Sequence, residues 1–358
     1  MNLYSLQKTI YALLMAFVLL SACNGQNKTV KQNNHDNTMP GQTKISSPTG
    51  VNQNVRFVTS IEDTAGHFWF GSSGAGVYHF DGQLFVHFDM AQGLNSNNIH
   101  SMLQDNTGKL WVGTDKGLNR FDGHQFVNVP MVLSNSMSAY LSNTNNNIAP
   151  TENAVWSMMQ AKNGTIWFGT DDGVYCYKEN TFTRFLDNST VINKDSLKLK
   201  GIFSILEAKN GTLYFAECAA EGISSFDGKT LSTIIPYQAI RRTDRIIEDK
   251  QNKLWFATAF KGIGYYDGKT YTPNIFKAQA INGSYNIIED TYGHLWFDTQ
   301  NGLGFYDGKT HKLLTALEGT FVKDFIPILL DKVGNLWFSS NGLKLIKYNG
   351  KTLNNYSE

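Results

Sequence analysis

Seven positions in this 358-residue chain share one place in a recurring pattern yet hold seven different side chains: Val58, His100, Trp156, Phe203, Asp244, Tyr285 and Ile326. Each lies five residues before the residue that opens an Asp-x-x-Gly turn or its equivalent. A position serving only the scaffold would favour small or apolar residues. The spread in size and charge instead suits a lined channel mouth, where aromatic faces stack on the apolar face of a sugar ring and polar groups take its hydroxyls. Arg56, Arg242, Arg245 and Asp324 lie beside these positions. Glu217 and Asp298 also break the pattern. Glu217 opens Glu217-Cys218-Ala219-Ala220-Glu221, which replaces a Gly-Thr and lengthens the turn, and Asp298 stands where the other copies favour Gly. The candidate ligand-binding set is therefore His100, Trp156, Phe203, Arg242, Asp244, Arg245, Tyr285, Asp324, Glu217 and Asp298. The competing reading makes Trp156 and Phe203 a plug of the channel.

Dedicated catalytic patterns are thin. No His-x-x-x-His, no Cys-x-x-Cys and no nucleophile elbow occurs. No Asp-x-Asp-x-Asp loop is present, and Asp171-Asp172 alone is weak support for calcium. His67 and His294 occupy equivalent outer-turn places, which argues for a structural, solvated role; His100 is the one histidine placed near the channel. No catalytic residue, metal or cofactor is expected. With 31 Lys and Arg against 30 Asp and Glu, the formal charge is +1, so no polybasic signal points to nucleic acid.

The elements that must position these residues come from a repeat. Trp69, Trp111, Trp167, Tyr214, Trp255, Trp296 and Trp337 each sit in an apolar run, at spacings of 41 or 42 residues except for 56 and 47 around the third copy. Each copy reads as four short strands. An apolar strand leads into Asp-x-x-Gly, as at Asp63–Gly66, Asp105–Gly108, Asp290–Gly293 and Asp331–Gly334; its carboxylate can take backbone N–H groups while Gly supplies the left-handed position. The second strand carries the tryptophan, a Gly turn leads to the third, and Asp-Gly at 81-82, 122-123, 227-228, 267-268 and 307-308, with Asn349-Gly350, leads to the fourth. Four antiparallel strands at this period are a propeller blade, so the fold class is all-β, a seven-bladed β-propeller over residues 53–358. No swapped strand is evident, so closure rests on blade 7 packing against blade 1 unless Lys44 to Ser46 adds a strand. The insertion Pro130–Glu152, with Tyr140 at its middle, joins copies 2 and 3 and suits either a lid or a disordered loop.

The first 52 residues read differently. Lys8 precedes a run from Thr9 to Leu20 that is almost all apolar but short of the ~20 residues a span needs. Leu20-Ser21-Ala22-Cys23 resembles the lipobox of bacterial lipoproteins. Residues 1–22 are thus read as a lipoprotein signal peptide, Cys23 as the lipidated residue and 23–52 as a disordered tether. Asn24 leans towards the outer membrane. For Cys176 and Cys218, a bridge and two separate buried thiols both remain open.

The pattern Asp-x-x-Gly-x-Leu-Trp-Phe-Gly-Thr-x-x-Gly-Leu-x-x-Phe-Asp-Gly, followed closely at residues 105–123, resembles the two-component regulator propeller repeat. That family builds extracytoplasmic sensors of hybrid histidine kinases, whose ligands tend to be glycans. The resemblance covers residues 55–358; no kinase, receiver or membrane helix follows the seven copies, so it implies a fold and a recognition role and not kinase activity. The leading expectation is a membrane-anchored binding module for a carbohydrate, peptide or partner protein, acting in signal transduction. Similar repeats also occur in streptogramin and polysaccharide lyases, which need a His or Tyr base and a metal or acidic partner; convergence of His100, Tyr285, Asp244 and Glu217 would supply it. A third expectation is a scaffold for outer-membrane assembly.

Overall fold

The computed structural model describes residues 43–45, 50, 52–132, 153–218, 220–275 and 283–358. The expected signal peptide, Cys23, most of the expected tether, and Tyr140 with most of its insertion lie outside the described residues. Among the described residues no helix is long and apolar enough to cross a membrane.

Seven antiparallel sheets form a β-propeller. Their first strands are Phe57–Glu62, Ile99–Gln104, Val155–Gln160, Ile202–Glu207, Thr243–Glu248, Ile287–Glu289 and Ile326–Leu330. In each blade the four strands pair in chain order. Blade 4 gains a fifth, Ile192–Asn193, parallel to its outer strand; it comes from the extra residues between copies 3 and 4. The Asp-Gly hairpins close through four residues. Phe80 pairs with Phe85, only Gly82 takes positive φ (99°), and the Asp81 carboxylate accepts the N–H groups of Gln83 and Leu84. The expected tight turn is thus held by a side-chain cap as well as by glycine.

The repeat aromatics fill the spaces between blades. Trp111, Trp255 and Trp337 are at most 1% exposed, and the residue after the tryptophan is Phe70, Phe168, Phe256, Phe297 or Phe338, all wholly buried. The clusters are shared: Trp111 packs with Val155 and Phe168 of the next blade, and Trp255 with Ile287 and Phe297. One blade cannot shield these faces, so burial and ring closure are one event. Glycine permits the approach. A Cβ at Gly169 would meet the Ile202 carbonyl oxygen of the next blade at 2.5 Å, and one at Gly113 the Val155 oxygen at 2.5 Å.

Closure combines face packing with a small strand addition. Phe57 and Phe70 share a core with Ile328 and Trp337. The Phe57 N–H donates to Ser339 Oγ, and Ser60 Oγ donates to the Ile328 carbonyl. Ile45 makes a parallel bridge to Ser357 and is buried against this core. Its N–H donates to the Tyr356 carbonyl, while its own carbonyl accepts from Glu358. The Lys44–Ser46 alternative for closure is realised at Ile45.

Cys176 and Cys218 carry free thiols. Burial pushes the Cys176 thiol up to about 12, which keeps it protonated at neutral pH.

Candidate functional site

The turn and channel ends of each blade use different devices. At the turn, the Asp-x-x-Gly carboxylate accepts backbone N–H groups, as Asp63 does from Ala65 and His67. It also does something the turn pattern alone did not indicate. Its second oxygen accepts the indole N–H six residues on: Asp63–Trp69 at 2.9 Å, Asp105–Trp111 at 2.8 Å, Asp249–Trp255 at 2.7 Å, Asp290–Trp296 at 3.0 Å and Asp331–Trp337 at 3.1 Å. The constant six-residue Asp–Trp spacing was the available signal.

At the channel end, the first strands carry β-bulges. The register slips at Val58, His100, Trp156, Phe203 and Asp244 in blades 1 to 5. A bulge leaves its extra residue unpaired and re-aims the side chain. The five variable residues are therefore released from the ladder into the lumen. In blade 7 the slip falls at Ile328 instead, between Pro327 and Leu329, and Ile326 stays paired and buried. In blade 6 the first strand starts only at Ile287. Before it, the Tyr285 and Asn286 N–H groups and the Ser284 hydroxyl donate to the Asp298 carboxylate. Asp298 thus substitutes for a regular strand start and holds Tyr285 in place. Burial, against these hydrogen bonds, pushes Asp298 up to about 6.

The first strands and the segments leading into them line a central cavity of about 340 Å³. His100, Trp156, Phe203, Arg242, Asp244, Arg245 and Tyr285 all border it, with Arg56, Val58 and Ile326. Four blades contribute a connected arc. The His100 ring stacks on Trp156 at 4.0 Å between centroids, and Trp156 lies 4.7 Å from Phe203. The Arg242 guanidinium sits 4.8 Å from the Phe203 centroid and pairs with Asp244 through Nη2 and Nε at 2.6 and 3.0 Å. Asp171 accepts the Trp156 indole N–H at 2.6 Å and so sets the ring's orientation. Across the channel, Arg56 lies 5.5 Å from the Tyr285 centroid.

Electrostatics follow from enclosure. Burial lowers the His100 pKa, with Asp115 and Asp171 opposing, so the imidazole is neutral at pH 7. Burial raises that of Asp244, against its bonds to Arg242. His100 Nε2 and Asp244 Oδ2 are buried without a hydrogen-bond partner. Arg245 is walled in by protein, which lowers its pKa, yet its surface stays open to the lumen.

Three candidate residues sit elsewhere. Asp324 and Asp298 border a smaller neighbouring cavity of about 140 Å³, together with Arg56, Tyr285 and Lys323. Glu217 is buried and turns into its own loop, accepting the N–H groups of Ala220 and Glu221. Asn286 borders the main cavity but was not singled out in the sequence, where it is one polar residue among many.

Among the described residues one cluster has metal-ligand spacing: atoms of Asp63, His67 and His79 lie within 4.8 Å of one another. The histidine nitrogens are 3.2 Å apart. Asp63 is already engaged by Trp69 and two backbone N–H groups, as its counterparts are, and the His79 ring packs at a tilt against Trp69, 4.1 Å between centroids. A similar place over the tryptophan goes to Arg120 in blade 2 and Lys347 in blade 7.

Fold and cavity together define a seven-bladed propeller with a ligand-sized chamber on its axis. Residues 93–116 and 150–172 match the family described as Two component regulator propeller. A 43-residue stretch, 12% of this chain and 3% of its relative, is 46% identical to Histidine kinase P4 of Formosa agariphila. Among solved structures, the chain resembles the extracellular domain of the hybrid two component system BT3049 from B. thetaiotaomicron, with TM-score 0.65, 20% identity and 84% of this chain covered. It spans only 40% of that domain's length. It also resembles a catalytically inactive virginiamycin B lyase from Staphylococcus aureus with quinupristin, at TM-score 0.61 and 14% identity, covering 86% of this chain and 98% of the lyase. At these identities the likeness is one of fold.

Proposed function

We propose that this protein is an extracytoplasmic, membrane-tethered binding module of the sensor type, which seats its ligand in the central cavity. The observation that carries the reading is the connected arc His100–Trp156–Phe203–Arg242 along one wall of a chamber of about 340 Å³. The aromatic faces give an apolar platform, and His100 Nε2 and Asp244 Oδ2 lack hydrogen-bond partners among the described residues. That combination suits a ring compound with hydroxyl groups, such as a glycan unit. In the proposed arrangement residues 1–22 direct export, Cys23 carries lipid, and the segment after it tethers the propeller. A partner protein would relay occupancy. The lyase alternative loses support because Glu217 is committed to its own turn and does not border the chamber.

Thermal-shift screening of the full chain against a glycan panel tests the reading. A ligand that raises the melting temperature of the wild type should leave Trp156→Ala unshifted, with the circular dichroism of the variant unchanged. An equal shift in the variant overturns the central cavity as the site. Metabolic labelling with a radioactive fatty acid, lost in Cys23→Ser, tests the anchor.

A further inference from the structure

We infer that the ligand of this cavity carries an anionic group, a carboxylate or sulfate, on a ring that stacks against Trp156 and Phe203, and that Arg245 is the residue that receives the anion. This deepens the proposed binding function and rests on it.

The inference starts from one strand position. The residue after each bulge is Thr59, Ser101, Ser157, Ser204 and Arg245 in blades 1 to 5. In blades 2 to 4 it tethers the next blade: Ser101 Oγ donates to the Val155 carbonyl at 3.0 Å, Ser157 Oγ to that of Ile202 at 2.8 Å, and Ser204 Oγ accepts the Ile246 N–H at 3.1 Å. Arg245 makes no such bond. Among the described residues its guanidinium has no hydrogen-bond or ion-pair partner, and it borders the chamber with its surface open to the lumen.

The neighbouring charges do not satisfy it. Asp244, next in the chain, is committed to Arg242 through both Nε and Nη2. His100 is neutral because burial lowers its pKa. Among the described residues Arg56 also has no ion pair, and its guanidinium lies over the Tyr285 ring. Asp171 is bonded to Trp156, and Asp324 lies in the adjoining cavity beside Lys323. The groups bordering the chamber are thus three arginines against one carboxylate. A guanidinium that is unpaired and open to the chamber keeps its donors for an incoming group, and the surplus of positive charge around the chamber favours an anion. The guanidinium fork matches a carboxylate or sulfate through two parallel hydrogen bonds, so the chemistry of the awaited group is specified. The aromatic wall beside it specifies a ring.

Titration of the full chain at low ionic strength with sodium glucuronate, glucose and sodium sulfate, read by thermal shift and calorimetry, tests this. Glucuronate should bind more tightly than glucose, and added salt should weaken it. Arg245→Gln should lose at least tenfold in glucuronate affinity while the free variant melts no lower than the wild type. Trp156→Ala should weaken glucuronate but leave any shift by sulfate. Equal binding of glucose and glucuronate, indifferent to Arg245 but sensitive to Trp156, overturns the inference and leaves the binding function standing. A free Arg245→Gln chain that melts several degrees lower marks Arg245 as structural and also overturns it. Wild type that responds to none of the three probes overturns it as well, and a glycan-panel ligand dependent on Trp156 would then still uphold the cavity.

Discussion

The two ends of the first strand contrast within every blade. At the turn end, one solution is repeated. An Asp carboxylate caps its own turn and takes the tryptophan N–H in five blades, and a Gln or Glu at the strand's end accepts an N–H from the preceding blade, as Gln104 does from Thr64, Glu207 from Lys162 and Glu62 from Lys332. At the channel end, the bulged residue is valine, histidine, tryptophan, phenylalanine or aspartate. Repetition marks what the ring needs to close. Variation marks surface on which the ring makes no demand, and a binding site can be built there without weakening the scaffold.

Two tryptophans give this contrast its largest test. Trp255→Ala should remove about 3–5 kcal/mol of stability in urea unfolding, because it empties a fully enclosed inter-blade space. Trp156→Ala, half-exposed at the channel, should cost only about 1 kcal/mol or less. Similar losses at both sites would break the distinction.

Asp298 is the exception, a channel-end residue with a structural task, and pH exposes it. Its folded pKa, about 6, lies above the ordinary carboxylate value. The folded state therefore holds this proton more tightly than the unfolded state. The contribution is fully present below pH ~4 and is lost as pH rises to about 6, amounting to on the order of 3 kcal/mol. Asp298→Asn should flatten the stability profile between those limits; an unchanged profile would deny the residue that role.

The turn end has its own exceptions. In blades 3 and 4 the carboxylate is replaced by Ala161 and Ala208, and Asn163 and Asn210 cap the turns instead. The Trp167 indole N–H is left buried without a partner. Asp249→Ala should reproduce this defect in blade 5 at a cost of about 2 kcal/mol, and Ala161→Asp should repair it in blade 3 for a gain of about 1 kcal/mol, both read from urea midpoints. A destabilised Ala161→Asp would show that blade 3 has adapted to the missing acid.

Much of this was legible before the structure. The tryptophan spacing and the Asp-Gly pairs establish seven four-stranded sheets, because hairpin chemistry and alternating burial act over a few residues. Positions that break the repeat flag His100, Trp156, Phe203 and Asp244, since departure from a pattern is visible in one dimension; Arg245 was picked out only as their neighbour. The flag did not separate roles: Glu217 departs as plainly as Asp244, yet its carboxylate serves its own loop.

Local spacing alone therefore determined the sheets, their number and the residues free to vary. Only the closed ring decided which of those residues meet. His100 stacks on Trp156, and Trp156 packs at a tilt against Phe203, across blade boundaries of 56 and 47 residues, and Ile45 pairs with Ser357, more than 300 residues on in the chain. These meetings depend on bulges that re-aim side chains and on the summed twist of seven sheets, a global constraint that no short window of sequence contains.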